Sequence, residues 1–104
     1  MSDPADYKSP FGLERDMGFS RKEFFTLLPK PLKDFNAVID ETGATITLGC
    51  GTIRIEVGKE SERRLSDYVI LPTLPVKIIF NDVEPADKAR FLRKFDFSYM
   101  KGLG

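Results

Sequence analysis

Thr45-Ile46-Thr47-Leu48-Gly49-Cys50-Gly51-Thr52-Ile53-Arg54-Ile55-Glu56-Val57 decides the fold class of this chain. Apolar residues recur at every second position on both sides of the central glycines, which is the spacing of side chains on one face of a β-strand. Ile46 and Leu48 share one side of the first half. Ile53, Ile55 and Val57 share one side of the second, with Arg54 and Glu56 opposite. Gly49-Cys50-Gly51 supplies the reversal between them. Just upstream, Ala37-Val38-Ile39-Asp40 followed by Thr42-Gly43 adds an earlier strand and turn, so three strands form an antiparallel meander.

On the N-terminal side of this meander the period is helical. Ser20-Arg21-Lys22-Glu23 fits a capping box, and Phe19 with Phe24 fits the hydrophobic staple that accompanies one. Phe24, Phe25, Leu27 and Leu28 fall on one arc of the helix, and Pro29 and Pro31 are expected to stop it after about two turns. On the C-terminal side, residues 58–67 read as a charged connection. The run Tyr68-Val69-Ile70-Leu71 then meets Pro72-Thr73-Leu74-Pro75, where a bend or an edge position is expected before Val76-Lys77-Ile78-Ile79-Phe80 resumes the strand. Asn81-Asp82 turn the chain. Pro85 at a first helical position and Asp87 in the first turn then predict a second helix over about 85–97.

The expected fold is therefore α+β: a two-layer domain with a short N-terminal helix, an antiparallel sheet of about four to five strands and a C-terminal helix packed on the sheet. The length of 104 residues suits a single domain, over 19–104, preceded by a flexible arm over 1–18 that is rich in proline, glycine and charge. Phe11, Leu13 and Met17 are the residues able to pin the distal half of that arm to the domain. A hydrophobic content of 41%, including nine phenylalanines, supplies a core without disulfides.

Several chemistries drop out on composition. The chain has no histidine, which removes Ser-His-Asp and Cys-His catalysis and imidazole metal sites. Sixteen basic residues balance sixteen acidic ones, so no long-range positive field draws the molecule to nucleic acid or anionic lipid. The lone Cys50 suits a reducing compartment. The opening Met1-Ser2-Asp3-Pro4-Ala5-Asp6 lacks the features of a secretory signal, and no apolar run approaches bilayer length, so a cytoplasmic protein without a membrane partner is expected.

Local motifs are weaker. Cys50 reads either as an exposed thiol between flexible neighbours or as a small apolar filler, and the second is favoured. Asn81, Asp82, Glu84 and Asp87 lack the spacing of a calcium loop and read as turn and helix-start residues. Pro72-Thr73-Leu74-Pro75 reads as an edge-strand device, and Lys101-Gly102-Leu103-Gly104 lacks the paired terminal glycines of ubiquitin-like carriers. No cofactor, metal or catalytic residue is assigned.

The last helix is the most informative stretch. Phe91, Leu92, Phe95 and Tyr99 share one face, while Arg90, Arg93 and Lys94 gather on the other with Phe97 among them. Arg90, Arg93, Lys94, Phe97, Tyr99 and Met100 form a candidate interaction surface, because aromatic and arginine side chains concentrate in interface cores. Burial energy favours the alternative in which the helix ends near Phe95 and Phe97 or Tyr99 packs back on the sheet. The two readings differ on whether Phe97, Tyr99 and Met100 are exposed together. Arg63 and Arg64 are candidate anion contacts. The functional expectation is a small non-enzymatic protein-interaction or accessory module, engaging a protein partner or itself through an edge strand and the C-terminal segment. The alternative is a binder of an anionic ligand or nucleic acid through the local basic face.

Overall fold

The meander forms as its alternation requires, and the rest of the chain is arranged around it. A computed structural model describes residues 11–100. In order these form β1 (Phe11–Met17), α1 (Arg21–Leu27), α2 (Pro29–Leu32), β2 (Asn36–Asp40), β3 (Gly43–Leu48), β4 (Gly51–Val57), β5 (Ser61–Arg64), β6 (Ile70–Asn81) and α3 (Pro85–Ser98). The six strands are antiparallel, in the order β1-β6-β4-β3-β2, with β5 added to the N-terminal part of β6.

One face of the sheet is apolar and covered. Ile46, Ile53, Ile55, Leu74, Val76, Ile78 and Phe80 are buried beneath Phe24, Leu28 and Leu32 from the N-terminal helices and Phe91 and Phe95 from α3. Aromatic rings knit the helical layer: Phe91 stacks on Phe95 at 5.8 Å, and Phe24 lies 6.3 Å from Phe95. This is the two-layer α+β architecture that the alternation of periods implies, with one strand more than expected.

The extra strands come from segments whose sequence signal was mixed. Residues 11–17, expected to belong to a flexible arm, pair with β6 from Phe11 opposite Phe80 to Met17 opposite Leu74. Leu13 and Met17 pack on the core, and between them on the same face Arg15 bonds to Asp96 of α3. A charged residue at a core-facing position hides the period of two, and only its long apolar stem makes the position tolerable. Residues 1–10 of the expected arm lie outside the described residues.

The start of α1 follows the sequence signal. The Glu23 N–H donates to Ser20 Oγ at 3.1 Å and the Ser20 N–H to Glu23 Oε1 at 2.9 Å, which closes the capping box. The staple residues Phe19 and Phe24 are both buried and meet through Tyr99, whose ring lies 5.3 and 4.8 Å from theirs. Pro29 ends α1 but also opens α2 at its first position, where the absent N–H has no helical acceptor to lose.

The Pro72-Thr73-Leu74-Pro75 segment does not interrupt β6, which runs through both prolines, but each proline has one open side, as an edge position requires: Pro75 lies beside Asp16 of β1 and just past the end of β4, and Pro72 lies beside Glu62 of β5 and past the end of β1. Along a strand, successive residues turn their N–H and C=O groups to opposite sides. The Pro75 carbonyl accepts the Gly58 N–H at 2.8 Å, so its missing donor faces the gap where β4 ends and β5 has not begun. Pro72, an odd number of positions away, turns its missing donor to the other side, past the end of β1 at Met17. Each proline stands where no ladder partner exists.

Candidate interaction surface

Beyond Pro75 the β4–β6 hairpin leaves the sheet and continues as a two-stranded arm. Ser61 pairs with Thr73, Glu62 with Pro72, Arg63 with Leu71 and Arg64 with Ile70, and the Leu65 N–H closes the tip on the Val69 carbonyl at 2.8 Å. Residues 58–67, expected as a connection, therefore contain the outgoing strand of this arm. A ribbon of two strands is marginal by itself in water.

The arm is also where the apolar surface lies. Leu65, Tyr68, Val69, Ile70 and Leu71 are all exposed, Tyr68 to 95%. Cross-strand partners share a face, so Arg63 sits with Leu71 on one side of the ribbon and Arg64 with Ile70 on the other. Among the described residues neither guanidinium has a hydrogen-bond or ion-pair partner. Single exposed apolar residues are ordinary, whereas a contiguous set rimmed by polar groups marks an interaction site.

The C-terminal candidates divide. Phe97 is 73% exposed and Met100 is exposed, but Tyr99 is buried and donates its hydroxyl to the Phe24 carbonyl at 2.7 Å. Burial pushes the Tyr99 phenol well above its ordinary range. Tyr99 therefore leaves the candidate surface: it continues the stripe of Phe91 and Phe95 at helical spacing, while Phe97 points away from it. The last turn of α3 lies at the arm end of the sheet, since Asp96 reaches Arg15 and Tyr99 meets Phe19, just past β1.

The basic face of α3 is largely engaged within the fold. Lys94 Nζ lies 2.9 Å from Asp34 and, by this bond and its charge, holds that carboxyl below its usual range. Arg90 lies 3.7 Å from Asp87 and 5.0 Å above the Phe35 ring. Arg93 alone of the three has no such partner among the described residues.

A side-chain network on the open face of the sheet carries no mark in any motif. Arg54 donates to Asp40 Oδ2 at 2.8 Å, to Thr45 Oγ1 at 2.9 Å and to Thr42 Oγ1 at 2.7 Å, tying the β2–β3 turn to β4. The Arg54 bonds, then those from the Thr42 N–H and hydroxyl, hold the Asp40 carboxyl far below its usual range. Asp40, read as a solubility charge, is thus a strut at the end of β2. Register is the signal that would have found it, because Arg54 stands opposite Thr45. Among the described residues the outer edge of β2 is unpaired, with Val38 66% exposed and Ile39 exposed beside it.

Elsewhere the surface is bland. Cys50 is exposed in the β3–β4 turn, which corrects its reading as an apolar filler: flanking glycines at a tight reversal leave nothing for it to pack under. A depression of about 420 Å³ over β1, β6 and β4 is open and lined by Glu14, Asp16, Glu56 and Lys77. Among the described residues no three carboxylate or thiol groups converge to hold a metal ion, and no helix is long and apolar enough to cross a membrane. Lys101–Gly104 lie outside the described residues. Comparison with family models, curated proteins and solved structures finds no match to this chain.

Proposed function

We propose that this chain is a non-enzymatic protein-interaction module whose contact element is the β5–β6 arm. The observation that carries the reading is the exposure of Leu65, Tyr68, Val69, Ile70 and Leu71 on a ribbon with no third strand among the described residues. No described residue covers those side chains, and exposed apolar, aromatic and arginine residues on the two faces of one ribbon suit a protein interface better than a small-ligand site. Phe97 and Met100 are exposed as well, at the end of α3. The anion-binding alternative is weakened by the neutral net charge and by the pairing of Arg90 and Lys94 within the fold. The lone cysteine fits a reducing, cytoplasmic setting.

The test is a photo-reactive residue placed at Tyr68 or Leu71 in cells, with Thr47 on the open face as control. Protein adducts from the two arm positions and none from Thr47 are expected. Equal labelling at Thr47, or no adduct at all from the arm, overturns the proposal.

A further inference from the structure

We propose that the solvent-facing surface of α2 and α3 is a second docking site, distinct from the arm, and that it receives an acidic segment of a partner protein with an apolar residue to cover Phe97. The neutral net charge conceals how charge is divided between the two layers. On the open face of the sheet, away from Leu13, Ile55 and Ile78, stand Glu14, Asp16, Asp40 and Glu56, with Arg54 and Lys77 as the cations between them. Cations predominate on the other side. Lys30 and Lys33 lie one turn apart at α2, and Arg90, Arg93 and Lys94 follow on α3, against Asp34 and Asp87, with Asp96 taken up by Arg15.

The two helices hold these cations together. Lys94 Nζ reaches Asp34 at 2.9 Å and Arg90 lies over the Phe35 ring, so the end of α2 packs on the middle of α3. The Asp34 carboxyl is held below its usual range by Lys94 first, with Lys33 and Arg90 adding to the effect, so three cations surround one carboxyl. Asp34 and Asp87 engage Lys94 and Arg90. Lys30, Lys33 and Arg93 are exposed and make no ion pair or hydrogen bond among the described residues. That surplus is complementary to carboxylates on a partner.

Phe97 makes this more than a solvated charged face. At helical spacing Arg93 and Phe97 point within about 40° of each other and away from the buried Phe91 and Phe95. Ala89 and Ala86 are exposed one and two turns before Arg93, and Met100 is exposed beyond Phe97. Small side chains let a partner backbone approach, while Arg, Phe and Met are types that interface cores favour. Other occupants fit less well. A phosphate backbone would meet the Asp34 and Asp87 carboxylates within the patch. A second copy could offer its acidic open face, but that contact joins unlike surfaces and does not close as a two-fold pair.

Fluorescence anisotropy with the full chain tests the site. The probe is a labelled peptide of repeated Glu-Glu-Leu, with a Gln-Gln-Leu peptide of equal length and a single-stranded oligonucleotide of equal charge as controls. Lys30, Lys33, Tyr68, Arg93 and Phe97 are exposed, so thermal melts of Lys30→Glu/Lys33→Glu, Tyr68→Ser, Arg93→Glu and Phe97→Ser should superpose on that of the parent. Saturable binding of the Glu-Glu-Leu peptide is expected, weakened about tenfold by Arg93→Glu and by the double variant, weakened also by Phe97→Ser, and unchanged by Tyr68→Ser on the arm. No binding of that peptide, equal binding of the Gln-Gln-Leu peptide, or parent-like affinity in the charge-reversed variants overturns the proposal. Tighter binding of the oligonucleotide with no effect of Phe97→Ser would give the face to nucleic acid instead. A light-scattering mass above one chain that Arg93→Glu abolishes would give it to a second copy, and loss of the peptide in Tyr68→Ser would give the binding to the arm.

Discussion

Tyr99 offers the sharpest test of where the core ends and the surface begins at the C-terminus. Its ring lies 4.8 Å from those of Phe24 and Phe95 and 5.3 Å from that of Phe19, and its hydroxyl donates to the Phe24 carbonyl at 2.7 Å. Tyr99→Phe keeps the rings and removes only that bond. The Phe24 carbonyl still accepts the Leu28 N–H at 3.0 Å, so no buried acceptor is orphaned and the cost should be about 0.5–1.5 kcal/mol. Tyr99→Ala removes the ring as well, and a large aromatic truncated in a core costs about 3–5 kcal/mol. The lower end applies here, because a residue at the helix C-cap leaves a site that collapses readily. Phe97→Ala, two residues away and exposed, should stay within about 0.5 kcal/mol of the parent. Urea unfolding followed by far-UV circular dichroism measures all three.

The pH dependence of Tyr99 has a defined sign. A phenol whose pKa is raised by burial favours the neutral form in the folded state, so its stabilisation is present below the unfolded value of 10.0 and is lost as pH rises above it. The gap between parent and Tyr99→Phe should therefore close at high pH. Equal stabilities of the Tyr99→Ala and Phe97→Ala variants would refute this placement of the core boundary, and a gap that widens above that pH would refute the burial of the hydroxyl.

Gly43→Ala should unfold the β2–β3 hairpin or abolish expression of folded protein: a Cβ there would collide with the Ile55 carbonyl oxygen, a backbone atom that cannot move aside. Gly49→Ala, with nothing within 4 Å of its Cβ, should cost only the strain of its φ of +57°, about 1 kcal/mol by thermal melt. Asp40→Asn should lower stability at neutral pH. Because the Asp40 pKa is depressed in the folded state, the advantage of the parent is present above the ordinary carboxylate range and should shrink as pH falls through it, as paired melts at pH about 7 and about 3 would reveal. Ser20→Ala opens the capping box and should cost about 1 kcal/mol in the same measurement.

Much of the fold is legible along the chain because its signals are local. The alternation through Ile53, Ile55 and Val57, the capping box at Ser20 and the proline at position 85 each act within a few residues, and each element forms where its signal stands. β1 escaped because Arg15 interrupts its apolar face and finds Asp96 only through the tertiary fold. The Pro72-Thr73-Leu74-Pro75 segment announced an edge or a bend, and the tertiary fold decided for the edge without a break in β6. Whether a missing N–H matters depends on what faces it, and that is set by where β1 and β4 stop.

The candidate surface divides along the same line. The amphipathic period of α3 already separates Phe97 from Phe91 and Phe95, and the burial of Tyr99 completes that stripe. What the residues alone determined is which side chains need a core and which local turns and caps the backbone can adopt, since both follow from short-range sterics and apolar spacing. Only the tertiary structure decided that Leu65, Tyr68, Val69, Ile70 and Leu71 stand exposed, with no core to join among the described residues. An apolar run in a strand is buried or exposed according to whether neighbouring strands and helices reach it, and here β1 ends at Met17 and leaves the arm uncovered.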